Sequence, residues 1–168
     1  MEKSTSFPLE LKSTYFGEFE GYASVFDVVD QHSDIIKKGA FGLALNPKEV
    51  KLLWQHKPEE PIGWLESIQE DSRGLYVKGK LLLASSRGKE AYELLKGGAI
   101  SGLSIGFDVI KQSFDHKAKR IIEEIKLWEV SLVTFPANNE ARVLSVKNQQ
   151  SAPFNRAIAA LWQKPGNY

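Results

Sequence analysis

Ile100-Ser101-Gly102-Leu103-Ser104-Ile105-Gly106-Phe107-Asp108-Val109-Ile110 is the stretch on which the fold turns. Its centre, Gly102 to Gly106, matches the G-x-S-x-G pattern of a nucleophile elbow, in which the serine occupies a sharp turn between a strand and a helix. The context argues against that elbow. The apolar alternation runs on through Phe107 and Val109 with no helix pattern, and the one downstream histidine, His116, sits in the polar hairpin Asp115-His116-Lys117. A strand accounts better for the residues: Leu103, Ile105, Phe107 and Val109 share one face, and Gly102, Ser104, Gly106 and Asp108 share the other. The first face packs, and the second is sterically bare around the serine. Glycines on both sides of a serine weaken a strand. That cost makes sense if another backbone, such as a peptide substrate, approaches closely at Gly102 and Gly106; a bulged or tightly curved barrel strand is the lesser alternative. Ser101, three positions from Ser104, falls on the opposite face and is a poor substitute.

Outward from this strand, segments near 16–26, 50–55, 62–69, 74–84 and 120–135 are also rich in β-branched and aromatic residues and often alternate. A helix is expected over 87–96, with Ala91, Leu94 and Leu95 at helical spacing, Ser86 as its cap and Gly97-Gly98 as its stop. A shorter helical turn is expected near 40–46, and Pro153 can open a weakly amphipathic helix through Ile158, Leu161 and Trp162. Short strands, interspersed helices and no regular βαβ alternation point to an α+β, mainly β fold, an antiparallel barrel decorated by helices. A doubly wound sheet is the alternative. The expected division is a flexible segment over 1–14, one catalytic domain over 15–147 and a C-terminal tail over 148–168, helical or removed by cleavage.

Composition narrows the function. The 168 residues suit a single domain with a real core, and that domain must carry the whole activity. Twenty-two basic and twenty-one acidic residues give a net charge of +1 without a basic run, so nucleic acid is not expected as a partner. The absence of cysteine removes thiol nucleophiles, disulfides and Cys-based zinc sites together. Covalent catalysis must then use Ser, Thr, Lys or a carboxylate. The N-terminus lacks the apolar core of a signal peptide and no run reaches membrane-spanning length, so a soluble protein without a membrane partner is expected.

A serine hydroxyl needs a base within hydrogen-bond reach, and the candidates are His32, His56 and His116. His56 ends the apolar run Leu52-Leu53-Trp54-Gln55, which places it at a strand terminus before a Pro-containing loop and the new strand Ile62-Gly63-Trp64-Leu65. His32 near Asp34 offers two metal ligands without a third, so neither a metal nor another cofactor is expected. His116 reads as a solvated turn residue. The third member must accept the other imidazole N–H, and Glu129 is the one acid embedded in an apolar strand, on a face with Leu127, Ser131 and Val133. A carboxylate there is costly unless paired; an edge-strand glutamate facing water is the competing interpretation.

These residues also carry a family resemblance. Leu53-Trp54-Gln55-His56 with Pro61-Ile62-Gly63, then Ile100 to Phe107, then Trp128-Glu129-Val130-Ser131-Leu132-Val133-Thr134 and Pro136-Ala137 resemble, in order, the blocks of the tailed-phage prohead proteases. Gly21 to Phe26 and Gly39-Ala40-Phe41 resemble that family's first block, so the resemblance spans roughly 16–146. The family is similar in fold to the herpesvirus assemblins. The resemblance implies a serine endopeptidase with Ser104 as nucleophile, His56 as base and Glu129 as the third triad member, where assemblins use a second histidine. It also implies an oxyanion hole from the backbone N–H groups of Ala137 and Asn138, in a loop where assemblins place arginines, and Lys57 stands where many relatives carry an acid. The implied substrates are the major capsid protein with its scaffold segment and the protease itself. The implied location is the immature capsid in the bacterial cytoplasm, and a homo-oligomer is left open. An inactive assembly or scaffolding factor and an esterase-like hydrolase are the two alternatives.

Overall fold

The structure, a computed structural model, describes residues 16–147. The expected N-terminal segment and the C-terminal tail with its helix lie outside the described residues. Within them the chain forms β1 (Glu18–Val25), β2 (Asp34–Ile36), β3 (Lys51–Trp54), β4 (Lys57–Glu70), β5 (Gly74–Leu81), α1 (Ser86–Lys96), β6 (Gly102–Phe114), β7 (Arg120–Val133) and β8 (Val143–Val146). The fold is mainly β, as the alternating segments require. β2 and β8 are too short to show a period and were not legible as strands.

The strands form one sheet in the order β2-β7-β3-β4-β5-β1-β8, with β6 on β7. It is mixed, which corrects the expectation of an antiparallel barrel: β2 and β3 both run parallel to β7. Alternation specifies which residues face the core but is the same for either strand direction, so it carries no information on this point. The sheet curls into a half-barrel around a core that includes Leu52, Ile62, Val77, Leu103, Val130 and Leu132. Main-chain bonds stitch the start of β6 to the segment entering β8, Leu103 N–H to Ala141 O at 3.0 Å and Val143 N–H to Ser101 O at 2.8 Å. That seam draws the 136–142 loop against the start of β6.

α1 is the one helix among the described residues. Its cap is Ser85, one residue before the expected Ser86: Ser85 is extended and its Oγ accepts the Gly88 N–H at 3.0 Å, which satisfies a first-turn donor. It ends as expected at Gly97-Gly98. Gly98 has φ +72°, and the bonds Ala99 N–H to Leu94 O and Gly98 N–H to Leu95 O complete a Schellman stop. Ala91, Tyr92 and Leu95 form its buried face. The helical turn expected at 40–46 does not form. The bond Ala40 N–H to Lys37 O closes a tight turn there instead, and the Glu70 carboxylate takes the Gly39 and Phe41 N–H groups. No helix of the described residues is long and apolar enough to cross a membrane.

Candidate active site

The parallel pairing of β3 with β7 decides where His56 goes. Lys51 lies opposite Glu129 and Trp54 opposite Leu132, so the end of β3 reaches the same level of the sheet as the second half of β7. There the chain does not enter a loop, as expected from Pro58 and Pro61. It reverses at once through Gln55 and His56 into β4, with Trp54 paired to Lys57. Both turn residues have positive φ, 51° and 59°, the condition of a type I′ hairpin turn usually met by Asn-Gly. The prolines are accommodated where the β3–β4 register shifts, around Leu53.

The turn is bonded onto β7 at every level. Gln55 N–H donates to Leu132 O at 3.0 Å. Its side-chain amide donates to Thr134 Oγ1 at 2.8 Å and accepts the Thr134 N–H at 3.2 Å. His56 N–H donates to Ser131 Oγ at 3.1 Å, and His56 Nδ1 meets Glu129 Oε1 at 2.6 Å. The second carboxylate oxygen of Glu129 accepts the Ser131 hydroxyl at 2.6 Å. Glu129 is therefore a buried carboxylate with both oxygens satisfied, the condition under which such a group is tolerated. With Nδ1 engaged, Nε2 is the ring nitrogen left to act as base.

Ser104 lies on β6 directly opposite Ser131, and Gly106 directly opposite Glu129. Ser104 is largely buried, and it opens with His56 onto a cleft of about 600 Å³. Among the described residues no hydrogen bond joins Ser104 to the imidazole, a contact that often tightens only when substrate is bound. Ile105, Gly106, Phe107, Asp108 and Val109 extend one wall of the cleft along β6. Ala137 and Asn138 line the same cleft, and among the described residues no hydrogen bond engages either main-chain N–H. The Asn138 side chain is committed elsewhere, donating to Val25 O at 2.8 Å. The space beside each flanking glycine is already filled by the protein: a Cβ at Gly102 would meet Val133 O at 2.6 Å, and one at Gly106 would meet Glu129 Oε1 at 2.4 Å.

The segment before and along β2 lines the cleft as well. Asp34, buried, receives two guanidinium bonds from Arg120, one of them from Nε at 2.7 Å. That carboxylate raises the pKa of Arg120 above its already high value and keeps it charged. His32 lines the cleft too, while its main-chain N–H bonds Asp30 Oδ1. No group of three or more metal-ligating side chains occurs among the described residues. His116 is exposed in the β6–β7 hairpin. Ser101 faces away from the cleft, where its Oγ lies 3.4 Å from Arg142 Nη1. Sequence reasoning missed three contributors: Ser131, the Gln55–Thr134 pair and the Asp34–Arg120 pair. Only Ser131 had left a signal, its place on the Glu129 face.

The chain is 39% identical over 137 residues to the prohead protease of Enterobacteria phage HK97, a match covering 79% of this chain and 61% of that protein. It is 34% identical over 108 residues to a capsid polyprotein of Pseudomonas phage PAJU2, of which the match covers 16%. The chain thus spans less than two thirds of the curated relatives it matches. Among solved structures, the bacteriophage T4 capsid assembly protease superposes with a TM-score of 0.50 at 14% identity, over 69% of this chain and 81% of that one. This is a likeness of fold. The family described as Caudovirus prohead serine protease matches residues 7–156, and the chain belongs to it.

Proposed function

We propose that this chain is a serine endopeptidase of capsid maturation working through Ser104, His56 and Glu129. The observation that carries the reading is the 2.6 Å contact between His56 Nδ1 and a buried Glu129 carboxylate, with His56 and Ser104 lining one cleft. Family membership supports the peptidase class. In the proposed cycle Glu129 accepts a hydrogen bond from Nδ1–H, which holds the imidazole in the tautomer whose Nε2 is basic and stabilises the imidazolium as it forms. His56 Nε2 takes the Ser104 proton while Oγ attacks the scissile carbonyl. The resulting oxyanion is held by the Ala137 and Asn138 N–H groups. Collapse breaks the C–N bond, and His56 returns the proton to the leaving amine. A water, deprotonated by the same imidazole, then hydrolyses the acyl-enzyme.

The substrates we propose are the major capsid protein, its scaffold segment and the protease itself, cut inside the immature shell in the host, with residues 15–147 as the catalytic domain. The names of the HK97, PAJU2 and T4 proteins support a capsid partner. The test is labelling by a fluorophosphonate probe, mapped by peptide mass spectrometry, alongside cleavage of co-expressed capsid protein. Wild-type protein should label at Ser104. Ser104→Ala and His56→Ala should each lower cleavage by about three to six orders of magnitude, with Glu129→Ala milder, because triad members act as a unit. Near-wild-type cleavage of capsid protein by Ser104→Ala would sink the assignment and favour another nucleophile.

A further inference from the structure

Ser131 sits two residues beyond Glu129 on β7, fully buried and across the ladder from Ser104. Its Oγ accepts the His56 main-chain N–H and donates its own proton to Glu129 Oε2, while Glu129 Oε1 meets the His56 ring. These bonds close a ring that leaves His56 by its backbone and returns to it through its imidazole. A hydroxyl is one of few groups able to accept and donate at once, so a side chain with only one of those capacities leaves the ring open. We infer that Ser131 is a positioning residue for the proposed peptide cleavage. It holds both the main chain from which His56 hangs and the carboxylate that its Nδ1 addresses. The inference rests on Ser104, His56 and Glu129 acting as a catalytic set.

The physical case is one of missing degrees of freedom. A carboxylate held only at Oε1 can pivot about its own side-chain torsions, and the imidazole follows it. A carboxylate held at both oxygens cannot. The His56 turn is also the point at which the backbone most needs restraint, since both of its residues occupy the left-handed region. Displacing a base by about 1 Å can cost on the order of 10²-fold in rate. A buried serine that only satisfied its neighbours would affect stability without changing the chemistry of each folded molecule.

The experiment measures fluorophosphonate inactivation of Ser131→Ala and Ser131→Thr, separating the limiting rate from the probe concentration at half-maximal rate. It adds the low-field proton NMR signal of the His56 Nδ1–H, assigned by its loss in His56→Gln. Ser131→Ala should lower the limiting rate by about 10²-fold per folded molecule, leave the half-maximal concentration within about threefold, and lose the low-field signal. Ser131→Thr, which keeps the hydroxyl, should recover most of both. Wild-type limiting rate and an intact signal in folded Ser131→Ala overturn the inference. So does a folded Ser131→Thr as impaired as the alanine variant. If the alanine variant does not fold, Ser131→Cys, of similar shape and weak as a donor, carries the same expectation, and a wild-type rate in it is equally fatal. An unchanged labelling rate in Ser104→Ala would instead bring down the catalytic set itself.

Discussion

At the scale of single residues, position 106 is held to glycine by its neighbour across the sheet. A glycine two places after the serine marks a spot where something comes close, and what comes close is Glu129: the side-chain position at 106 lies 2.4 Å from its Oε1 and 2.9 Å from its Cγ. A strand's own alternation cannot reveal this, because it depends on which residue of β7 lies opposite. Gly106→Ala should push the carboxylate off His56 and lower fluorophosphonate labelling by on the order of 10²-fold, with the circular dichroism spectrum unchanged. Labelling at the wild-type rate would mean that Glu129 tolerates displacement and does not orient the base. Ser104, His56 and Glu129 could be singled out as candidates from the sequence because each combines a reactive type with an unusual setting. Ser131 shared the Glu129 face, but nothing in its residue type gives it a role until its partners across the sheet are known.

The elements explain why those residues meet. Apolar periodicity made β1, β3, β4, β5, β6 and β7 readable, along with α1. Strand direction and the β3–β4 turn were not, because two prolines after His56 imitate a loop and neither Gln55 nor His56 resembles a left-handed residue. The turn persists because Gln55 grips Thr134 with both ends of its amide and Leu132 with its own N–H. Two changes at Gln55 separate the strain from the grip. Gln55→Ala loses the amide bonds and keeps the left-handed penalty. Gln55→Gly loses the same bonds and sheds that penalty, which amounts to about 1–2 kcal/mol for a residue with a Cβ. The glycine variant should therefore be the more stable of the two in urea unfolding, by about 1 kcal/mol after allowance for its looser unfolded chain. Both should label more slowly than wild type. Equal stability would place the relief of strain elsewhere in the hairpin.

Across the whole molecule, β2, which lines the cleft, is held to β7 by a charge pair as well as by main-chain bonds. Asp34 and Arg120 are opposite each other in the parallel β2–β7 pair, and the side chains are unequally exposed, 5% for Asp34 against 37% for Arg120. That asymmetry makes the two deletions unequal. Arg120→Ala strands a buried carboxylate without a partner, whereas Asp34→Asn leaves a guanidinium that can turn toward water and an amide that can still accept from it. Arg120→Ala should cost about 1–3 kcal/mol in chemical unfolding and Asp34→Asn distinctly less. The loosened wall in Arg120→Ala should raise the substrate concentration needed for half-maximal capsid-protein cleavage more than it lowers the rate of labelling at Ser104, because Arg120 opens β7 whereas Glu129 and Ser131, which hold His56, lie near its other end, opposite Gly106 and Ser104 of β6. If labelling falls as steeply as cleavage, the two ends of β7 are mechanically one unit, and the charge pair supports the catalytic set as well as the cleft.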